Sequence, residues 1–91
     1  MSEYLTSHLL LRKGNIGEYV LLSGDPKRVR LIAEMMDNSK LISANREFLV
    51  YTGKYGGITV SVASTGIGGP SAAIAFEELL MVGAKVFIRV G

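Results

Sequence analysis

Apolar positions along this chain change their spacing several times, and a glycine or proline marks each change. Tyr19-Val20-Leu21-Leu22-Ser23 is a nearly continuous apolar run, the pattern of a short strand covered on both faces. Gly24 ends it, and Asp25 and Pro26 suit the N-cap and first position of a helix. Val29, Ile32, Ala33 and Met36 recur at helical spacing, which predicts an amphipathic helix from Pro26 to Met36. Lys40 to Tyr55 reads as extended, with Leu41-Ile42-Ser43 and Phe48-Leu49-Val50-Tyr51-Thr52 separated by a bend at Asn45-Arg46-Glu47. Gly56-Gly57 is a hairpin signal that pairs this segment antiparallel with the alternating stretch Ile58 to Ala63.

The pattern then repeats its earlier order. Ser64-Thr65-Gly66-Ile67-Gly68-Gly69 is a glycine-dense turn and Pro70 opens a mostly apolar helix carrying Ala73, Ile74, Ala75, Phe76, Leu79 and Leu80. Gly83 is its natural C′ residue, and Glu77 and Glu78 are expected on its exposed side. Val86 to Val90 forms the next strand. Residues 1 to 18 carry weak signals, since Gly14 and Gly17 interrupt any helix built on Leu5, Leu9, Leu10 and Leu11. Two strand, glycine turn and helix units imply an α/β fold whose ligands bind beyond the carboxyl ends of the strands.

Composition narrows the class. Ninety-one residues, 48% hydrophobic and 20% charged, are ordinary for a small globular unit. The absence of cysteine excludes a disulfide scaffold and a thiolate metal site. No apolar run approaches the roughly 20 residues of a membrane span, and Met1-Ser2-Glu3 does not begin a signal peptide. A cytoplasmic protein with no membrane partner is expected. The net charge of +2 is small and its ten Lys and Arg are scattered, so a nucleic-acid partner is not expected either. Lys85 to Gly91 reads as a central strand with too few other elements to flank it, so the chain is expected to be the N-terminal portion of a longer domain.

Candidate chemistry lies at the ends of elements. The glycine loop and the free N–H groups of Ser71, Ala72 and Ala73 could hold an anion, or the glycines could simply allow close packing. The spacing fits neither a dinucleotide fingerprint nor a P-loop. Arg28 opposes the dipole in the first turn of its helix, where it either joins the backbone in gripping an anion or covers apolar surface with its stem. Arg89 lies near a strand's carboxyl end, and burial of an unpaired guanidinium there would be costly. Arg46, on a bend, reads as a surface charge, and His8, the one histidine, reads as a surface or packed residue.

Motifs in order now carry a resemblance. Ser64-Thr65-Gly66-Ile67-Gly68-Gly69-Pro70-Ser71 with Ile74 and Glu78-Leu79, Gly24-Asp25-Pro26-Lys27-Arg28, Arg46-Glu47-Phe48, and Phe87-Ile88-Arg89-Val90-Gly91 together resemble the nucleoside phosphorylase superfamily of uridine phosphorylase and hexameric purine nucleoside phosphorylase. The resemblance covers the chain from about His8 onward. It implies a three-layer α/β fold with a central mixed, largely parallel sheet flanked by helices, incomplete in this chain. It also implies reversible phosphorolysis of a nucleoside to free base and ribose 1-phosphate.

Carried over by residue, it implies that Gly24, Arg28 and Arg89 bind phosphate within one subunit, Arg28 and Arg89 serving catalysis. Arg46 is implied to reach that phosphate from a neighbouring subunit, and His8, from the same neighbour, to contact the ribose 5′-hydroxyl. A homo-oligomer follows, a hexamer built as a trimer of dimers. No cofactor is expected beyond inorganic phosphate as co-substrate. A monovalent cation such as K+ is implied at the dimer interface on Glu47, the Ile67 carbonyl and the Ser71 hydroxyl, which gives the glycine loop an interface role in place of anion binding. Ser23 stands where the family often has proline. The family's ribose-binding glutamate and base-recognition residues are expected beyond Gly91, so uridine is favoured over purine nucleosides and methylthioadenosine only by the R-E-F and S-T-G-I-G-G-P-S motifs. A hydrolytic nucleosidase on the same fold and an inactive fragment are the rival readings; the three arginines argue against hydrolysis.

Overall fold

The computed structural model describes residues 5–66 and 69–90. Its elements are β1 (Tyr19–Ser23), α1 (Pro26–Glu34), β2 (Asp37–Asn45), β3 (Phe48–Tyr55), β4 (Ile58–Ser64), α2 (Gly69–Met81) and β5 (Val86–Arg89). One sheet takes them in the order β2-β3-β4-β1-β5. β1 runs parallel to both β4 and β5, while β2, β3 and β4 form an antiparallel meander. The expected mixed sheet is present, with its parallel and antiparallel pairings evenly divided in this part.

Alternation along the strands sends side chains to two cores, one on each face. Val29, Ala33 and Met36 of α1 and the turn after it pack on Leu49 and Val62. On the opposite face Ala75 and Leu79 of α2 pack with Val20, Phe48, Val50 and Ala63, together with Leu9 and Leu11 of the N-terminal segment. Helices on both faces give the three layers.

Local chemistry accounts for most boundaries. Asp25 caps α1 by accepting from the Lys27 N–H at 2.9 Å. The helix stops at Glu34, two residues short of the expected Met36, because the Met35 and Met36 N–H groups tighten onto Ile32 and Ala33 and the chain enters β2 at Asp37. Gly56 and Gly57, at φ +59 and +83, turn β3 into β4 as a two-residue hairpin. Gly83, at φ +119, ends α2 with Ala84 N–H on the Leu79 carbonyl and Gly83 N–H on that of Leu80, a Schellman closure.

Two expectations change. β2 starts at Asp37 rather than Lys40, with Asp37 opposite Lys54 and a bulge through Asn38, at φ +53, before the register resumes at Lys40. β5 is the last strand of the sheet within this chain, beside β1, with Val86, Ile88 and Arg89 exposed. Glu78 is buried, not exposed. The N-terminal residues, weak in sequence, form a closed loop in which Thr6 N–H reaches the Leu11 carbonyl at 2.9 Å and Thr6 Oγ1 accepts from Leu11 N–H at 2.8 Å.

Candidate functional site

The carboxyl ends of β1, β4 and β5 are brought level by the register. Ser23 stands opposite Ser64, and Leu22 opposite Arg89. The Thr65 N–H continues the ladder onto the Ser23 carbonyl at 2.8 Å, and the Val90 N–H does so onto Leu22. Gly24 turns off the end of β1 and lies against the Gly66 carbonyl, 3.4 Å from where its own Cβ would be. Arg28 follows in the first turn of α1 and Arg89 ends β5, both exposed. Gly24, Arg28 and Arg89 therefore share one end of one strand pair. Among the described residues no carboxylate lies within ion-pair distance of Arg28, Arg46 or Arg89, which leaves the guanidiniums available for an oxyanion.

Arg46 is placed apart from that pair. It sits at φ +58 in the two-residue turn Arg46-Glu47 joining β2 to β3, exposed, on the same edge of the sheet. β3 is separated from β1 by β4, so the turn stands about 10 Å across the sheet from the end of β1 at the usual strand spacing. Within this chain the Arg46 turn and the end of β1 are therefore two strand spacings apart.

The turn is tied instead to the glycine loop. Ser64 Oγ donates to the Glu47 carbonyl at 2.6 Å and accepts from the Leu49 N–H at 2.7 Å. The Ser71 hydroxyl donates to Glu47 Oε2 at 3.0 Å. A hydrogen bond within Glu47 itself, from its backbone, and that from Ser71 hold its carboxyl below the ordinary value of 4.5. Gly66, at φ +75, leaves room for this carboxylate, because a Cβ there would meet Glu47 Cγ at 2.7 Å. Glu47 and Ser71 thus bring together two of the three oxygens on which the expected cation would depend. Ile67, whose carbonyl was the third expected ligand, lies outside the described residues, as do Gly68 and Gly91.

His8 also reaches this edge, but through a residue the sequence reading misplaced. Its Nδ1 lies 2.7 Å from Glu78 Oε2, and the same carboxylate accepts the backbone N–H groups of His8, at 3.1 Å, and Leu9, at 2.8 Å. The His8 ring meets Phe48 edge-on at 6.4 Å, and Asn45 Nδ2 donates to the His8 carbonyl at 2.8 Å. Burial pushes the Glu78 carboxyl up, but the hydrogen bonds from Leu9 and His8 outweigh it and leave the group below 4.5. A sequence signal for this burial exists: Glu78 falls at helical spacing between buried Ala75 and buried Val82, on the apolar stripe with Leu79.

A groove lies elsewhere on the sheet. About 380 Å³ in volume, it is lined by Tyr19, Leu21, Ile32, Met35, Ile58 and other apolar side chains, near the amino ends of β1 and β4. It offers no cation to a phosphate and is not the candidate site. No group of three metal-ligating His, Cys, Asp or Glu side chains occurs among the described residues, and no described helix is long and apolar enough to cross a membrane.

Known proteins resemble this chain in sequence and in fold. A uridine phosphorylase of Thermococcus kodakarensis is 51% identical over 98% of this chain, which covers 32% of that protein. A guanosine phosphorylase of Halorubrum lacusprofundi is 46% identical over 92% of the chain and 35% of its own length. The crystal structure of a uridine phosphorylase from Vibrio fischeri superposes with a TM-score of 0.92 at 45% identity, over 94% of this chain and 36% of that one. The chain thus spans about a third of the length of the relatives it matches. The model of the Phosphorylase superfamily matches residues 18–91, and with the two glycine turns and the three-layer sheet already described, this chain belongs to that superfamily.

Proposed function

We propose that the chain is the N-terminal part of a nucleoside phosphorylase, a pentosyltransferase that moves ribose from a nucleoside, uridine foremost, to inorganic phosphate. The observation that carries this is the placing of Gly24, Arg28 and Arg89 at the joined carboxyl ends of β1 and β5, with no carboxylate in ion-pair reach. Uridine is favoured by the relatives at 51% and 45% identity, while the guanosine phosphorylase at 46% keeps a purine nucleoside as the alternative.

In the reaction an oxygen of phosphate bonds to C1′ of the ribose as the C1′–N bond breaks, and the bonding pair leaves with the base, which takes up a proton. Positive charge develops on the sugar during that step. Arg28 and Arg89 hold phosphate by charge-assisted hydrogen bonds just below C1′, where it serves as nucleophile and counter-charge. Orientation of this kind can supply about 7–11 kcal/mol of a barrier. Arginine does not give up a proton at neutral pH, so protonation of the base belongs to other groups.

Arg46 completes the anion site of a neighbouring protomer, and His8 meets the ribose 5′-hydroxyl there, in a hexamer arranged as a trimer of dimers. Support for sharing comes from the position of Arg46, about 10 Å across the sheet from the end of β1 and with no carboxylate within ion-pair distance among the described residues. Glu47, Ser71 and the Ile67 carbonyl would hold a monovalent cation, which would neutralise the Glu47 carboxylate at the interface. We place the protein in the cytoplasm, in keeping with its cysteine-free sequence.

Assay of the full-length protein with uridine, guanosine, inosine and methylthioadenosine, with and without phosphate, tests the reading. Phosphate-dependent release of base with formation of ribose 1-phosphate is expected, fastest on uridine. Base release that ignores phosphate would assign a hydrolase instead. The 91-residue chain alone is expected to release no base.

A further inference from the structure

Glu78 has no role in the phosphorolysis described above, yet its carboxylate accepts the His8 and Leu9 backbone N–H groups and faces His8 Nδ1 at 2.7 Å. An ionised carboxylate can only accept hydrogen bonds. The hydrogen between the two side chains therefore sits on Nδ1, and in the neutral ring Nε2 carries a lone pair. The Glu78 side chain is 10% exposed and that of His8 45%, so one edge of the imidazole is anchored in the protein while the other is open. Nε2 makes no hydrogen bond among the described residues. Phe48 against the ring and Asn45 on the His8 carbonyl restrict its remaining freedom.

We propose that Glu78 is a positioning residue that fixes His8 as its Nδ1–H tautomer and presents Nε2 as a hydrogen-bond acceptor to a sugar hydroxyl. This deepens the reading of His8 as a ribose contact and rests on it. The ribose 5′-hydroxyl then donates to Nε2 of the neutral ring, and a nucleoside lacking that hydroxyl leaves Nε2 without a partner. A purely structural Glu78, clamping the N-terminal loop onto α2 by its backbone contacts, would leave the preference for the 5′-hydroxyl unchanged when the tautomer shifts. Gln at this position separates the two roles. Its carboxamide oxygen still accepts from the Leu9 N–H, while its NH₂ donates to Nδ1 and drives the ring hydrogen to Nε2.

Long-range ¹⁵N–¹H spectra of the full-length protein, recorded where the imidazole is neutral and assigned by the signal lost in His8→Gln, read the tautomer directly. Nδ1–H with unprotonated Nε2 is expected in the wild type, moving toward Nε2–H in Glu78→Gln. The preference for a ribonucleoside over its 5′-deoxy analogue, taken as the ratio of KM values, should fall about tenfold in the same variant, the loss of one hydrogen bond near a charged group. An Nε2–H ring in the wild type overturns the proposal, and this measurement stands even where Glu78→Gln fails to fold. An unchanged tautomer in a folded Glu78→Gln protein overturns it equally. Phosphate-independent base release alongside the expected tautomer would overturn the phosphorylase reading and leave the His8 and Glu78 pairing intact.

Discussion

Arg28 lies in the first turn of α1 and Arg89 ends β5, both exposed and with no carboxylate in ion-pair reach among the described residues. Replacing either with alanine should raise the KM for phosphate about ten- to a hundredfold, as the loss of a charge-assisted contact predicts, and lower turnover; initial rates against phosphate concentration measure both. Glu78 gives a pH signature. Its folded pKa lies below 4.5, so the unfolded chain binds the proton more readily and the pairing stabilises the protein fully above that value. The contribution fades as pH falls through the folded pKa, loosening residues 6–11. Faster amide exchange at His8 and Leu9 below about pH 4.5, absent from Glu78→Gln, is the expected result. At this scale the sequence was legible where a residue acts on its neighbours, as in Asp25 on Lys27. The contact of Glu78 with His8 was not legible, because it spans 70 positions, although the burial of Glu78 had its signal in helical spacing, and a ribose role for His8 was implied only by family resemblance.

Elements were legible where glycine or proline punctuates them. Gly56-Gly57 and Gly83 adopt the positive φ that their positions require, and Pro26 begins α1 as expected. β2 was hidden at its start because Asp37, Asn38 and Ser39 have no strand pattern of their own; Asp37 pairs with Lys54 of β3 and a bulge at Asn38, φ +53, carries the chain on to Lys40. The importance of Gly17 was equally invisible. A methyl group there would meet the Thr59 carbonyl oxygen at 2.5 Å, and the Gly17 N–H is held by Ser61 Oγ at 3.0 Å. Gly17→Ala must push the segment before β1 off β4, at a cost of about 1–3 kcal/mol, which a shift in denaturant midpoint would register. The same change at Gly14, where nothing lies within 4 Å but φ is +92, should cost about 1–2 kcal/mol through backbone strain alone.

For the whole molecule, the distance of Arg46 from the Arg28 and Arg89 pair is the informative feature. If each anion site draws Arg46 from an adjoining protomer, an Arg28→Ala subunit and an Arg46→Ala subunit spoil different components. Mixed oligomers should then regain a fraction of intact sites, and turnover of the mixture should exceed the sum of the separate variants. No gain on mixing would place all three arginines in one protomer's service. The strand order has a kinetic corollary as well. β2, β3 and β4 are linked by turns of two residues, so their ladder closes with little loss of chain entropy. β1 must wait for a sequence-distant partner, Tyr19 meeting Val60 and then Val86. The meander should therefore nucleate and β1 dock afterwards, which makes the proposed phosphate site at the joined ends of β1 and β5 among the last parts of the protein to exist during folding, and any phosphate held there a brake on unfolding rather than a spur to its assembly.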